Sequence, residues 1–416
     1  MGGEQLRQMS ENLIESSAQE MIFADRTRWN LDENRLCRTL ADLRERGAPI
    51  LDLTRSNPTE CGFNYNEPAI HRAFTHSGML RYAPDPRGMK SAREAVRDYY
   101  RAQHLSVTDD DLVLTSGTSE AYSFVFRLLC NPGDEVLIPS PGYPLLDFLA
   151  DLCDVKPVRY PLLYDHGWQI DFSALTAAVT QRTRCLVVVH PNNPTGHYTS
   201  ASEQVALSRF CVERGVALIS DEVFFDFSLA GTSGPGLASR SETLTFTLSG
   251  LSKVCGMPQM KLAWIAVTGP AEQKREALPR LEVVADAHLS VGTPVQLAAP
   301  ALLGMRADFR SQVMSRVRNN LQELDAQLAR QSACNRLRCD GGWSAVLRVP
   351  ALQSDEDVAV SLLTEKEVYL HPGHFYDFSQ PGYMVASLII SEKDFAEGIR
   401  RTLTYFDFGP KQKQCE

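Results

Sequence analysis

The sequence lacks any apolar run near the ~20 residues that a membrane-spanning helix needs, so its 416 residues are not expected to cross a bilayer as helices. It also lacks the apolar core of a secretory leader, because the first residues are polar and acidic. No block of lysine and arginine stands out: 42 basic residues are outnumbered by 51 acidic ones, and the net charge is −9. With the two signs mixed along the chain, a nucleic-acid footprint is not expected. CxxC pairs and Cys/His clusters of metal spacing are missing too. The ten cysteines stand singly, which points to a reduced, cytoplasmic setting and to no metal site. Internal repeats and low-complexity stretches are absent.

What is present is an ordinary globular composition, 44% hydrophobic and 22% charged, on a chain longer than one compact core supports. Two lobes are therefore expected. Residues 1–30 are helix-prone but weakly patterned, and an amphipathic helix is predicted over 34–46. From Asp111 onward, apolar strands alternate with helical segments. Seven strands are predicted, at 112–115, 135–139, 155–160, 185–190, 216–220, 244–248 and 262–267. The runs at 187–190 and 216–219 show no polar alternation, the mark of strands covered on both faces in a mostly parallel sheet. The last third reads as a long helix over 305–331, then short strands at 343–349, 368–371 and 383–390 with helices between. The fold class is α/β.

In such a sheet, ligands gather beyond the carboxyl ends of the strands, so residues just after each strand are the ones to inspect. After 112–115 comes Ser116-Gly117-Thr118-Ser119, opening a helix whose N–H groups and hydroxyls suit an anion. The same residues would also serve as a plain N-cap. Tyr143 follows the next strand in the turn Ser140-Pro141-Gly142-Tyr143, and Pro191-Asn192-Asn193-Pro194-Thr195-Gly196 follows 185–190. Asp221 opens Asp221-Glu222-Val223-Phe224 after 216–220, and a buried aspartate there needs a cationic partner. Lys253 stands among small and turn-forming residues between two apolar segments, in Leu248–Val267. An amine held in a loop at strand ends is placed to form a Schiff base in a crevice.

Gly250-Leu251-Ser252-Lys253, then Gly256-Met257, then Lys261-Leu262-Ala263 resemble the lysine signature of the class I/II aminotransferases, fold-type I enzymes that use pyridoxal 5'-phosphate. The Asn-Pro-Thr-Gly turn and Asp221 stand in the same family order. The resemblance implies a large lobe with a mostly parallel seven-stranded sheet (59–300) and a smaller α+β lobe built from both chain ends (1–58 and 301–416). It implies Lys253 as the catalytic lysine, Tyr143 stacked on the cofactor ring, Asn193 on its phenolic oxygen and Asp221 on its ring nitrogen. Gly117, Thr118, Ser119, Ser252 and Lys261 would face the phosphate, with Ser249 an alternative to Ser252. Tyr82, in Tyr82-Ala83-Pro84-Asp85-Pro86-Arg87-Gly88, resembles a tyrosine that reaches the partner's phosphate, implying a homodimer with shared active sites. The substrates implied are a small-molecule amino donor and a keto acceptor, with neither nucleic acid nor membrane as partner.

Five positions depart from the family pattern: Gln259 stands where relatives usually carry a small residue or Asn, Gly250 takes a place where they often carry a Ser for the phosphate, and three more follow. Lys261 replaces an arginine and so lacks its bidentate fork. Phe224 replaces a tyrosine whose hydroxyl reaches the phenolic oxygen. Val385 stands where relatives carry the arginine that grips the substrate α-carboxylate, and no arginine lies between Arg348 and Arg400. Either another cation takes the carboxylate, with Arg55 and its neighbour Ser56 the first candidates and Arg87 and His374 weaker ones, or the substrate is an amine. Beyond transamination, the departures leave open a different reaction on the same cofactor, such as β-elimination, decarboxylation or oxidation, and a non-catalytic protein that keeps the fold.

Overall fold

The structure is a computed structural model describing residues 22–229, 236–239 and 242–407. Its strands are β1 (Leu51–Asp52), β2 (Leu112–Thr115), β3 (Glu135–Ser140), β4 (Lys156–Tyr164), β5 (Trp168–Ile170), β6 (Thr183–Val189), β7 (Ala217–Asp221), β8 (Thr245–Gly250), β9 (Ala263–Thr268), β10 (Asn335–Arg336), β11 (Ser344–Arg348), β12 (Val368–Tyr369), β13 (His371–Pro372) and β14 (Tyr383–Ser387). Part of the helix-prone stretch 1–30 lies outside the described residues. Within 22–30 the only helical element described is the 3-10 turn Asp25–Thr27.

The large sheet runs in the order β2-β9-β8-β7-β6-β3-β4-β5. All seven expected strands are in it, joined by the short β5, which pairs antiparallel at the edge next to β4. Antiparallel β9 is wedged between β2 and β8, and the ladders from β8 across to β4 are parallel. The uninterrupted apolar runs have the anticipated cause. Cys185, Val187 and Val189 face one apolar cluster with Ala217 and Ile219, while Leu186, Val188 and Leu218 face another on the opposite side. Alternate residues of a strand point to opposite faces, and here a helical layer covers each.

The first and last parts of the described chain pack together. Helix Arg35–Glu45, capped by the Asn34 side chain on the Cys37 N–H, presents Leu36 and Leu40 to a cluster that includes Leu53, Val313, Trp343, Met384 and Phe395. β1 pairs in parallel with β12, and β10-β11-β14-β13 form an antiparallel sheet beside it. The 23-residue helix Arg306–Leu328 leads from the large sheet into this region.

Near its start, that helix presses on the loop that carries Lys253. Gly256 has φ +65, and a Cβ there would lie 2.2 Å from the Phe309 ring. Phe309 in turn stacks on Tyr65, whose hydroxyl donates to the Gly256 carbonyl at 2.7 Å. Gly256→Ala combines a left-handed backbone with overpacking. It is expected to cost about 3 kcal/mol, read as a lowered urea midpoint with an unchanged slope; a loss below ~0.5 kcal/mol would show that the loop yields freely.

Candidate active site

Beyond the carboxyl ends of β2, β3, β6, β7 and β8 lies a cavity of about 370 Å³. Lys253, on the single helical turn Leu251–Val254 after β8, reaches into it. Its amine lies 4.9 Å from the centroid of Trp343 and 5.3 Å from that of Phe224. Two aromatic faces favour the cation, but loss of water weighs more. Burial pulls the amine down to about 8, with the Asp221 charge opposing. Gly250 starts this turn because strand β9 passes too close for anything larger: a Cβ there would meet that of Ala263 at 2.8 Å. A serine at this position would have no room.

Asp221 ends β7 and lines the same cavity. Its carboxylate accepts the Tyr122 hydroxyl at 3.0 Å and the Val223 N–H at 3.1 Å. Burial raises it to about 6, held there by those two donors and by Lys253. The next residue, Glu222, turns to other partners. It accepts the Leu237 N–H at 2.7 Å and the Ser220 hydroxyl at 3.0 Å, and burial lifts it to about 7. Phe224 offers no hydroxyl and instead packs edge-on against Trp343, centroids 5.2 Å apart.

Thr118 and Ser119 line the cavity at the start of helix Thr118–Leu129, and no side chain caps that helix end. Glu120 accepts the Ser116 N–H at 2.6 Å, and the amides at the helix start beyond it suit an anion. Gly117, the residue before the helix, does not line the cavity. A Cβ on it would lie 3.8 Å from the Lys261 amine, so Lys261 approaches the same helix start from outside. Ser252 lines the cavity, whereas Ser249 is buried with its hydroxyl unpartnered among the described residues. Tyr143 and Asn193 line it as well. In the turn around Asn193, the neighbour Asn192 takes the structural bond, accepting the Thr195 hydroxyl at 2.8 Å.

Other expected residues are placed differently. Thr54 and Ser56 line the cavity, but Arg55 between them is exposed and does not. His374 is exposed, and Arg87 pairs with Glu282 at 3.3 Å. Tyr82, 76% exposed, does not line the cavity of its own chain. Val385 does line it, between Val346 of β11 and His371 of β13. Sequence reasoning passed over Tyr122, Trp343, Ser344, His371, Tyr376 and Ser387, all of which line the cavity. Tyr122 had a signal, standing one helical turn beyond Thr118 and Ser119 on the same face.

Three comparisons bear on this geometry. Residues 60–387 match the family model described as aminotransferase class I and II. An alanine aminotransferase of Mycobacterium tuberculosis is 27% identical over 373 residues, covering 87% of this chain and 86% of that protein. Mouse tyrosine aminotransferase is 25% identical over 367 residues, covering 85% and 80%. Among solved structures, an alanine aminotransferase from Pyrococcus furiosus superposes with a TM-score of 0.85 at 22% identity, covering 93% of this chain and 100% of that one. A single mutant of Thermus thermophilus aspartate aminotransferase gives 0.79 at 26%, covering 91% and 98%. The fold is thus the fold-type I aminotransferase fold, and the chain belongs to the class I and II aminotransferases: it is a pyridoxal-phosphate-dependent enzyme that moves an amino group from an amino donor to a keto acid.

Proposed function

We propose that catalysis centres on Lys253 and Asp221, and that substrate is recognised without the usual carboxylate-binding arginine. The observation that carries this reading is a half-buried amine and a half-buried carboxylate facing one cavity at the ends of adjacent strands. The residues fit pyridoxal phosphate. Asp221, half-buried and with no cation bonded to it among the described residues, suits the ring nitrogen. Asn193 suits the phenolic oxygen, Tyr143 the ring face, and Gly117, Thr118, Ser119, Ser252 and Lys261 the phosphate. When bound, the cofactor supplies a ring that draws off the negative charge developing on the donor carbon.

The chain's own groups do the rest. Lys253 Nζ, lowered to about 8, has a substantial neutral fraction near neutral pH, so it can attack a carbonyl and later take the proton leaving the donor carbon. Asp221 would present its carboxylate to the ring nitrogen of the bound cofactor, with the Tyr122 hydroxyl fixing its orientation. Trp343 and Phe224 wall the amine off from water.

We extend the proposal to the assembly. Tyr82, turned outward, serves the phosphate of a second copy in a homodimer with shared sites. Residues 59–300 form the large lobe, and 1–58 with 301–416 the small one, supported by the pairing of β1 with β12. A cytoplasmic setting is supported by nine described cysteines that are all free thiols. None of the described helices is long and apolar enough to cross a membrane.

Lys253→Ala is expected to abolish turnover while cofactor still binds, and borohydride reduction should no longer fix cofactor mass to the protein. Retained turnover overturns the assignment. In cofactor-free protein the rate of covalent attachment should climb about tenfold per pH unit below 8 and level off above it, since only the neutral amine attacks. A climb continuing to pH 10 would mean that burial does not set this amine's affinity for protons. Asp221→Asn should lower kcat by at least about a hundredfold with the cofactor retained; a fall under threefold would move the ring-nitrogen role elsewhere.

A further inference from the structure

The antiparallel sheet supplies part of the cavity wall that the substrate meets. Strand residues two apart share a face, and the register sets Ser344 opposite Ser387 and Val346 opposite Val385, with His371 on the far side of Val385. Ser344, Val385, Ser387 and His371 all line the cavity. The row that would carry a gripping arginine is therefore valine, valine and histidine. Among the described lining residues, only Lys253 and His371 can be cations. Lys253 is the reacting amine. His371 is disfavoured as a cation, because burial lowers its affinity for protons, with the Asp52 charge opposing; its Nδ1 lies 3.0 Å from the Tyr376 hydroxyl.

A carboxylate stripped of water against Val385 would have no cationic partner there, which is costly. Neutral polar partners are at hand. The Ser387 hydroxyl and the Trp343 indole N–H belong to side chains 5% and 2% exposed, and neither has a hydrogen-bond partner among the described residues. Buried donors and acceptors are almost always satisfied, and a bound molecule is one way to satisfy them.

We propose that the amino donor carries a neutral hydrogen-bonding group, a hydroxyl or a carboxamide, where an amino acid would carry its α-carboxylate, with Ser387 and Trp343 receiving that group beside Val385. The inference rests on the reading of Lys253 and Asp221 above. In the net reaction the donor carbon loses its hydrogen and its amine and gains a carbonyl oxygen from water. The keto acid carbon gains that nitrogen and a hydrogen and releases its oxygen as water, so the two electrons lost by the donor reduce the acceptor.

The test uses the cofactor-loaded enzyme and matched donors sharing one side chain: alanine, alaninol and alaninamide, then the phenylalanine and glutamate sets, with carbonyl product measured by mass spectrometry. In at least one set the alcohol or amide should exceed the acid at least tenfold in kcat/KM. Ser387→Ala should raise KM for that neutral member at least fivefold. Val385→Arg should swing preference toward the acid, and the wild-type comparison stands even if that variant does not fold. Acids equal to or better than their neutral counterparts in every set overturn the proposal with the aminotransferase chemistry intact. An unchanged KM in Ser387→Ala overturns the role of that hydroxyl. No product from any donor would sink the reading of Lys253 and Asp221 itself, and this inference with it.

Discussion

The organising constraint is the removal of one amine and one carboxylate from water at the same place. Isolated buried charges are expensive, and each group responds by shifting toward its neutral form, Lys253 down to about 8 and Asp221 up to about 6. The two remain coupled, since each lessens the other's shift. Both the lowered amine and the raised carboxylate follow from desolvation beside the same cavity, so reactivity here is a by-product of packing that the sheet and its helical layers enforce.

That packing was legible wherever function follows a strand end. Lys253, Asp221, Asn193, Tyr143 and the start of helix Thr118–Leu129 each come directly after an apolar run, and continuous runs mark strands covered on both faces. Arg55 shows the limit. Its turn does reach the cavity, through Thr54 and Ser56, yet nothing local states that the side chain between them faces solvent. His371, Ser344 and Ser387 come to the cavity only through the register of β11, β13 and β14, a long-range fact that no local period encodes.

The departures from the family pattern acquire physical reasons once the neighbours are seen. Gly250 is imposed by strand β9 rather than by any ligand. Phe224 trades a hydroxyl for an edge-on contact with Trp343, and the two rings enclose the Lys253 amine on its apolar side. Val385 continues an apolar row begun by Val346, so the change is part of a coherent surface and not an isolated loss.

The contact of Phe309 with Gly256 joins these regions mechanically. The helix that begins at Arg306 belongs, further along, to the cluster that joins helix Arg35–Glu45 to the C-terminal strands, while its first turn bears on the loop that positions Lys253. A disturbance of the cluster around Phe309 therefore reaches the loop that positions Lys253, so packing far from the cavity has a direct path to the reacting amine.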